Sequence, residues 1–507
     1  MNDPGKNLKD LIVDLKKAKD YFFKKIKNLE AAVHIYTHID ADGLAAGAIL
    51  SKAFYRANIP FQITVLRQLE KEEILKIKKK EFNNFIIFSD FGSGQYLELQ
   101  EKLIKDGHSA SFLILDHHFP QNINNKEEFD LIKKIHQKTS PWHINPYFHG
   151  IDGSKEVSGA GICYYFVKSL NERNLDLSPV AIVGAMGDIQ NQGPNRSFTG
   201  INSLIVDEAK KNGYIEIVDD LNFSSIKPLN EAIAYSSEIK LPGLTNDINK
   251  TLKFLQTLGI LMENSEGDIR TLNDLNKDEK QKISSAIIEY ATLKLDVEPI
   301  EIIKKLIVNR YLIKKENAFS ELFDSNEFSY VLNACGRTNN ASLGIAIAMG
   351  DRKNAYQQSY DIILNYKRSL VKSLSWIKEN NKINQMDFIQ YFFGEDIIPE
   401  NIIGTITSML IFEMSDFIDI MKPIFGIAIR EDENVYKISG RAHEQIVNRG
   451  VNLSEAIREA LELINLDSLG GGHPPAAGTK VPVDKIELFL EKSNEIIKKQ
   501  LKTKNNL

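Results

Sequence analysis

The sequence predicts an α/β protein: a doubly wound parallel sheet, a mainly helical insertion, and a smaller C-terminal α/β domain facing the first across a cleft. Three observations predict it. Short apolar runs alternate with helical patterns through residues 1–201. Successive elements of that region end in carboxylates or imidazoles. After a polar stretch rich in Lys, Glu and Asn, a second series of helices and strands begins near residue 398.

Residues 8–29 place apolar side chains at helical spacing with lysines between them, which predicts an amphipathic helix with a solvated basic face. "VHIYT" (33–37), "FQITVL" (61–66), "FIIFS" (85–89) and "FLIL" (112–115) read as strands. "GLAAGAILSKAFYRA" (43–57) and "QYLELQEKLIKDG" (95–107) read as helices between them. "SGAGICYYFVKSLNER" (158–173) and "SPVAIVGAMGD" (178–188) are further helical patterns. Residues 202–328 read as the helical insertion, and 329–397 as a linker with an Asn-Ala-Cys-Gly-Arg segment and a long helix. The final domain, 398–507, should run helix, two strands, helix, Gly-rich loop and last helix.

Composition excludes several classes. The chain has 507 residues, 43% hydrophobic and 26% charged, as an ordinary globular protein has. Its formal net charge is -5, so any nucleic-acid contact must come from a local groove or from bound cations. Two cysteines in unrelated contexts support neither a disulfide framework nor a thiolate zinc site. No secretory signal is visible at the N-terminus, and the most apolar stretch, 402–414, is too short to span a bilayer. A cytoplasmic location is expected, with no membrane partner.

The chemistry lies at the element ends. "HIDADG" carries His38, Asp40 and Asp42; "FIIFS" is followed by Asp90; "FLIL" by Asp116, His117 and His118; "VAIVGAMG" by Asp188. Strand ends in an open parallel sheet line one crevice, so these groups should converge. The chain through "HIDADG" is read as extended, so alternate residues share a face and His38, Asp40 and Asp42 point together. His38, Asp40, Asp42, Asp90, His117 and Asp188 then suit two metal ions; mixed carboxylate and imidazole ligands fit Mn²⁺, with Mg²⁺ the other choice. Two such ions about 3.5–4 Å apart can clamp both oxygens of an in-line displacement at phosphorus.

In order, "HIDADG", "SD" (89–90), "LDHH" (115–118) and "MGD" (186–188) resemble the four motifs of the DHH phosphoesterase superfamily. "GGGHPPAAG" (470–478) resembles the glycine-histidine motif of the DHH-associated domain. "LNACGR" (332–337) and "NPYFHGIDGSKEVSGAG" (145–161) resemble segments of RecJ single-strand nucleases, and the group most resembled is the archaeal RecJ-like, GINS-associated nucleases. The resemblance implies one metal on His38, Asp40 and Asp90 and another on Asp42, Asp90, His117 and Asp188. Asp116 would orient an imidazole and His118 would face the scissile phosphate. Arg441, Gly471, Gly472 and His473 would hold substrate phosphate, Arg337 would contact one near the metals, and Asn333 would position it. It implies a single-strand-specific exonuclease on DNA or RNA, running 5′ to 3′, in DNA replication or repair, with the GINS complex and the replicative helicase as partners. Two other readings compete: a phosphodiesterase for short oligoribonucleotides or cyclic dinucleotides, and a scaffold for GINS and the helicase. A family II pyrophosphatase shares the metal chemistry but lacks the long insertion.

Overall fold

The computed structural model describes residues 4–27, 32–80, 85–105, 111–120, 143–236, 239–245, 247–295, 297–413, 417–466 and 471–503. The first domain is built on five parallel strands: β1 (Val33–His38), β2 (Phe61–Leu66), β3 (Phe85–Ser89), β4 (Ser111–Leu115) and β5 (His143–Ile144), in the order β2-β1-β3-β4-β5. Phe85, Ile86, Ile87 and Phe88 are all fully buried because β3 is covered on both faces, hence its unbroken apolar run. The strand order reverses between β1 and β3. That switch point opens a crevice at the carboxyl ends of both strands.

Helices α1 (Pro4–Ile26), α2 (Ala41–Arg56), α3 (Lys71–Lys80), α4 (Tyr96–Gln100), α5 (Gly159–Leu170), α6 (Ser178–Gly187) and α7 (Gly200–Lys211) complete this domain. On α1, Leu11, Leu15, Ala18 and Phe22 form the buried stripe, and Phe22 meets the rings of Phe54, Phe85 and Phe166. Helix α6 is buried on every side, as its all-apolar sequence requires.

Strands β6 (Ile215–Leu221) and β7 (Ile307–Ile313) pair antiparallel and form the base of the insertion. Between them lie α8 (Leu229–Ala234), α9 (Ile248–Thr257), α10 (Lys277–Leu295) and α11 (Pro299–Leu306). They share a core of their own around Leu229, Leu255, Ile283, Ile287 and Leu306.

The segment 329–397 is not the linker expected from the sequence. Helices α12 (Ser325–Arg337) and α13 (Ala341–Met349) pack against α2. Phe328, Val331, Leu332 and Cys335, spaced i, i+3, i+4 and i+7, enter the same core as Leu44 and Ala45. Gly336 makes the approach possible, because a Cβ there would lie 1.7 Å from the Ile39 carbonyl oxygen. Helix α14 (Ala355–Glu379) then leads to the second domain.

The second domain also starts before residue 398. Its sheet has the order β12-β13-β11-β10-β9-β8, with β8 (Asn384–Gln385), β9 (Gln390–Phe393), β10 (Ile424–Arg430), β11 (Val435–Arg441), β12 (Gly471–His473) and β13 (Ala476–Pro482). Helix α15 (Glu400–Glu413) covers one face, toward the first domain. The short α16 (Glu444–Asn448) follows β11, and α17 (Leu453–Leu463) and α18 (Ile486–Thr503) cover the other face. The Gly-rich motif, expected as a loop, is the β12–β13 hairpin; Gly470 lies outside the described residues. Gly472 holds φ at +139°, a conformation open to glycine.

Replacing Gly336 with alanine should therefore cost about 1–3 kcal/mol as overpacking, despite alanine's better helix propensity. The loss should appear as a lower denaturant midpoint and a weaker divalent-metal affinity, because the strain falls on the loop between His38 and Asp40.

Candidate metal centre

The chain leaves β1 at His38 and turns into α2 within two residues. Asp40 is the N-cap of that helix, its Oδ1 accepting from the Gly43 N–H at 3.0 Å. The extended geometry expected through Asp42 thus stops at Asp40. Asp40 and Asp42 diverge instead of sharing one face: the helix start sends Asp42 toward the N-terminus of α5. There its carboxylate accepts from the N–H groups of Gly159 (2.7 Å) and Ala160 (3.0 Å).

Asp90 follows β3 with φ at +63°, a region sparsely used by non-glycine residues. Its side chain is 1% exposed. Both carboxylate oxygens lack a hydrogen-bond donor among the described residues. One faces His117 Nε2 at 3.1 Å; the other faces His38 Nδ1 at 3.7 Å. His117 Nε2 also lies 3.3 Å from Asp188 and 3.6 Å from Asp42. His38 Nδ1 lies 2.8 Å from Asp40 without the alignment of a hydrogen bond. Two triads result, His38–Asp40–Asp90 and Asp42–His117–Asp188, and the Asp90–His117 contact joins them.

The electrostatics are those of a site built for cations. Burial, then the neighbouring Asp90 and Asp188, hold the Asp42 carboxyl well above its ordinary range. Burial and Asp90 outweigh His117 and raise Asp188 to about 7. Burial disfavours a charged His38 ring, yet Asp40 and Asp90 together raise it to about 10. A buried carboxylate without donors, Asp90, with Asp40, Asp42 and Asp188 crowded around two imidazole nitrogens, fits a pair of hard divalent cations by donor type.

The two adjacent histidines are held differently. His117 Nδ1–H donates to the Gly153 carbonyl at 2.7 Å, which leaves the Nε2 lone pair facing the carboxylates. Gln190 Nε2–H donates to the same carbonyl at 3.0 Å, and Asn202 Nδ2–H donates to Gln190 at 2.6 Å. Asp116 orients the other imidazole: its Oδ1 accepts from His118 Nδ1–H at 2.8 Å, while Oδ2 accepts from the Ser93 N–H. The reason is local, since residues i and i+2 of the extended segment after β4 share a side. Asn145, after β5, donates to the His118 carbonyl and to Ser93 Oγ, both at 2.8 Å. His118 is 36% exposed and opens on the cleft.

The second domain reaches this point through His473. Its ring stacks on His118 with centroids 5.2 Å apart and lies 6.1 Å from His117. Burial, then His118, lowers His473 to about 3 and keeps it neutral. Gly471 and Gly472 form the β12 edge leading to it. Arg441 ends β11, its guanidinium donating to Ser408 Oγ and the Gly440 carbonyl. Arg337 ends α12 with a buried Nε that has no acceptor among the described residues. Asn333 differs from expectation: its Oδ1 accepts from the Ala41 N–H at 3.0 Å, bracing the loop between His38 and Asp42. The sequence reading missed Gly153, Gln190, Asn202, Ser93 and Asn145. Asn145 and Gly153 lie in the segment 145–161 that carries part of the resemblance, but nothing in their residue type marked a role.

Residues 224–307 match the DHH-CID domain model, and residues 394–499 match the DHHA1 domain model. An uncharacterized protein of Methanocaldococcus jannaschii is 32% identical over 492 residues, covering 96% of this chain and 98% of that protein. The chain belongs to the DHH phosphoesterase superfamily. The DHH-CID match lies in the segment between β6 and β7, and the DHHA1 match spans α15 to α18. The DHH fold is shared with CDC45 from Entamoeba histolytica: TM-score 0.63, 11% identity, 95% of this chain and 99% of that one. It is shared also with RecJ from Thermus thermophilus, solved with Mn²⁺: TM-score 0.53, 14% identity, 96% of this chain but only 55% of that one. No helix among the described residues is long and apolar enough to cross a membrane.

Crowded carboxylates repel one another until a cation arrives. A saturating divalent metal at about a hundred times its Kd should stabilise the chelator-treated protein by about 2.7 kcal/mol, read as a higher Tm. Asp90→Asn should raise the Tm of the metal-free protein and abolish the metal-induced rise. A metal-induced rise equal to wild type in Asp90→Asn would show that Asp90 is not a ligand.

Proposed function

We propose that this DHH hydrolase is a metal-dependent, single-strand-specific exonuclease that cleaves phosphodiester bonds of DNA or RNA. The observation that carries this reading is Asp90, a buried carboxylate without a donor that faces both triads from a strained backbone. Such strain persists where surrounding structure imposes it, and it concentrates at functional sites.

In this reading His38, Asp40 and Asp90 hold one divalent cation, and Asp42, Asp90, His117 and Asp188 hold the other. The pair, when bound, neutralises the attacking and leaving oxygens of the phosphate and lowers the pKa of water. The protein's own groups do the rest. Gly153 fixes the His117 tautomer through its carbonyl. Asp116 fixes the His118 ring and favours its protonated form against the cost of burial, so His118 can donate to a phosphate oxygen. Arg337 and Arg441 neutralise phosphate charge, and His473 closes the cleft over His118. In this reading His473 of the DHHA1 domain, its ring 6.1 Å from that of His117, narrows the approach to the metal centre and so favours a single strand over a duplex. Mn²⁺ is the preferred ion by ligand type, with Mg²⁺ the other. A setting in DNA replication or repair, with GINS or the replicative helicase docking on the insertion, belongs to the same reading.

The test is hydrolysis of end-labelled single strands of DNA and RNA in Mn²⁺, with a duplex of the same sequence as control. Asp42→Ala and Asp116→Ala should each lower kcat by at least about a hundredfold, the scale of a lost outer partner of a metal site or more. Their folded CD spectra should persist. Full activity in Asp42→Ala, or equal cleavage of duplex and single strand, would falsify the assignment. The label end released first reports the polarity, expected 5′ to 3′.

A further inference from the structure

Of the large apolar side chains exposed among the described residues, two stand directly after a residue of the metal centre. Phe119, 45% exposed, follows His118; Ile189, 48% exposed, follows Asp188. An exposed apolar residue is ordinary by itself. These two are set apart by how firmly they are held.

Phe119 stands on a rigid support. Its ring meets Tyr147 edge to face, with centroids 5.0 Å apart and planes at 74°. Tyr147 is fixed at both ends: its N–H donates to Asn145 Oδ1 at 3.0 Å and its hydroxyl donates to Asp152 Oδ1 at 3.1 Å. Its ring lies against the turn at Gly153, where a Cβ would come within 3.0 Å of it and 1.9 Å of the His117 carbonyl oxygen. Whichever ring presents its edge, at least one face of Phe119 stays clear of Tyr147. Ile189 is held where a β-branched residue is rarely found, with φ at +56°. Burial does not offset that strain, since the side chain is almost half exposed. Its N–H donates to the Met186 carbonyl at 3.0 Å, and the adjacent Gln190 donates to the Gly153 carbonyl at 3.0 Å. Both residues are thus anchored to one turn, Phe119 through Tyr147 and Ile189 through Gln190, and the same turn orients His117.

We propose that Phe119 stacks on a nucleobase of the bound strand and that Ile189 supplies a second apolar contact to the same nucleotide. The nucleotide is the one whose phosphate faces His118, because Phe119 adjoins that residue in the chain. The chemistry chooses the occupant. A fixed aromatic face beside a phosphate-facing imidazole suits a molecule that carries an aromatic face and a phosphate together, as a nucleotide does. Every base has such a face, so the contact tolerates any sequence but requires a base. Phosphoesters without a base form a poorer substrate class. This inference rests on the nucleic-acid reading above.

The test uses the full chain in Mn²⁺ and a single-stranded 12-mer, either intact or with one abasic residue moved through the positions nearest the cleaved end. For wild type the abasic residue should lower kcat/KM about tenfold at one of those positions, the scale of a lost base–aromatic stack. Phe119→Leu keeps apolar bulk but removes the ring face. On the intact strand it should lower kcat/KM about tenfold, mainly through KM, and Phe119→Trp should restore it. On the strand abasic at the sensitive position, the Phe119→Leu loss should shrink to about twofold or less. Ile189→Ser should show a smaller loss with the same dependence on the base. The metal-induced rise in Tm should match wild type in both variants, since neither side chain is a ligand. Equal kcat/KM for Phe119→Leu and wild type on the intact strand would overturn the proposal. An equal Phe119→Leu loss on intact and abasic strands would place the effect in the fold or the metal centre and overturn it too. A change of oligomeric state in Phe119→Leu without any loss on the strand would assign the face to a second copy of the chain instead. Wild type that neither binds nor cleaves the strand fails the nucleic-acid reading, and this inference with it. Wild type that cleaves intact and abasic strands alike leaves that reading standing and overturns this inference alone.

Discussion

A carboxylate buried without a hydrogen-bond donor is among the costliest groups a fold can keep, and the first domain is arranged around one. Asp90 sits at the switch point of the sheet, at the end of a strand buried on both faces, with φ at +63°. Its neighbours are more carboxylates and the three imidazoles of His38, His117 and His118. No exchange of hydrogen bonds within the described residues satisfies it. The fold therefore holds an unfavourable charge in place by rigid means: the apolar sheet beneath, α2 and α5 at the sides, and α12 pressed against the Ile39 carbonyl through Gly336. The stability of those elements is what lets the centre remain strained.

The same constraint explains why the groups around the centre are so thoroughly braced. An imidazole that offers a lone pair among carboxylates must be held in one tautomer and one orientation. His117 gains this from a backbone carbonyl, itself shared with Gln190, which is fixed in turn by Asn202. His118 gains it from Asp116, whose second oxygen is fixed by the Ser93 N–H. The two histidines, adjacent in the chain, thus answer to separate networks. One turns inward to the carboxylates and the other outward to the cleft, where His473 of the DHHA1 domain meets it.

Charge divides the molecule in a complementary way. The formal net charge is -5, yet the junction of the domains gathers Arg67, Arg337, Arg430, Lys437, Arg441 and Lys480 around three acids. The acidic centre and the basic junction lie on opposite sides of Arg337, whose charge is felt by Asp40 in the one and by Lys437 in the other.

The sequence by itself determined the parallel sheet, the second domain and the residues of both triads. Strand ends in a parallel sheet must share one edge, so His38, Asp90 and His117 could be brought together by topology alone. It did not determine the direction of Asp42, because one helical turn replaced an extended strand after Asp40. Nor could it show that Asn333 grips Ala41 across 292 residues, or that α12 belongs to the first core instead of a linker. The orienting carbonyl of Gly153 was invisible for a simpler reason: every residue has a carbonyl, and only packing decides which one faces a ring nitrogen. The gathering of cations at the junction was likewise a tertiary outcome. Lysine and arginine are read as solvated unless a structure shows what lies beside them, and here Lys437, 100 residues from Arg337, shares its field because two domains close on one another.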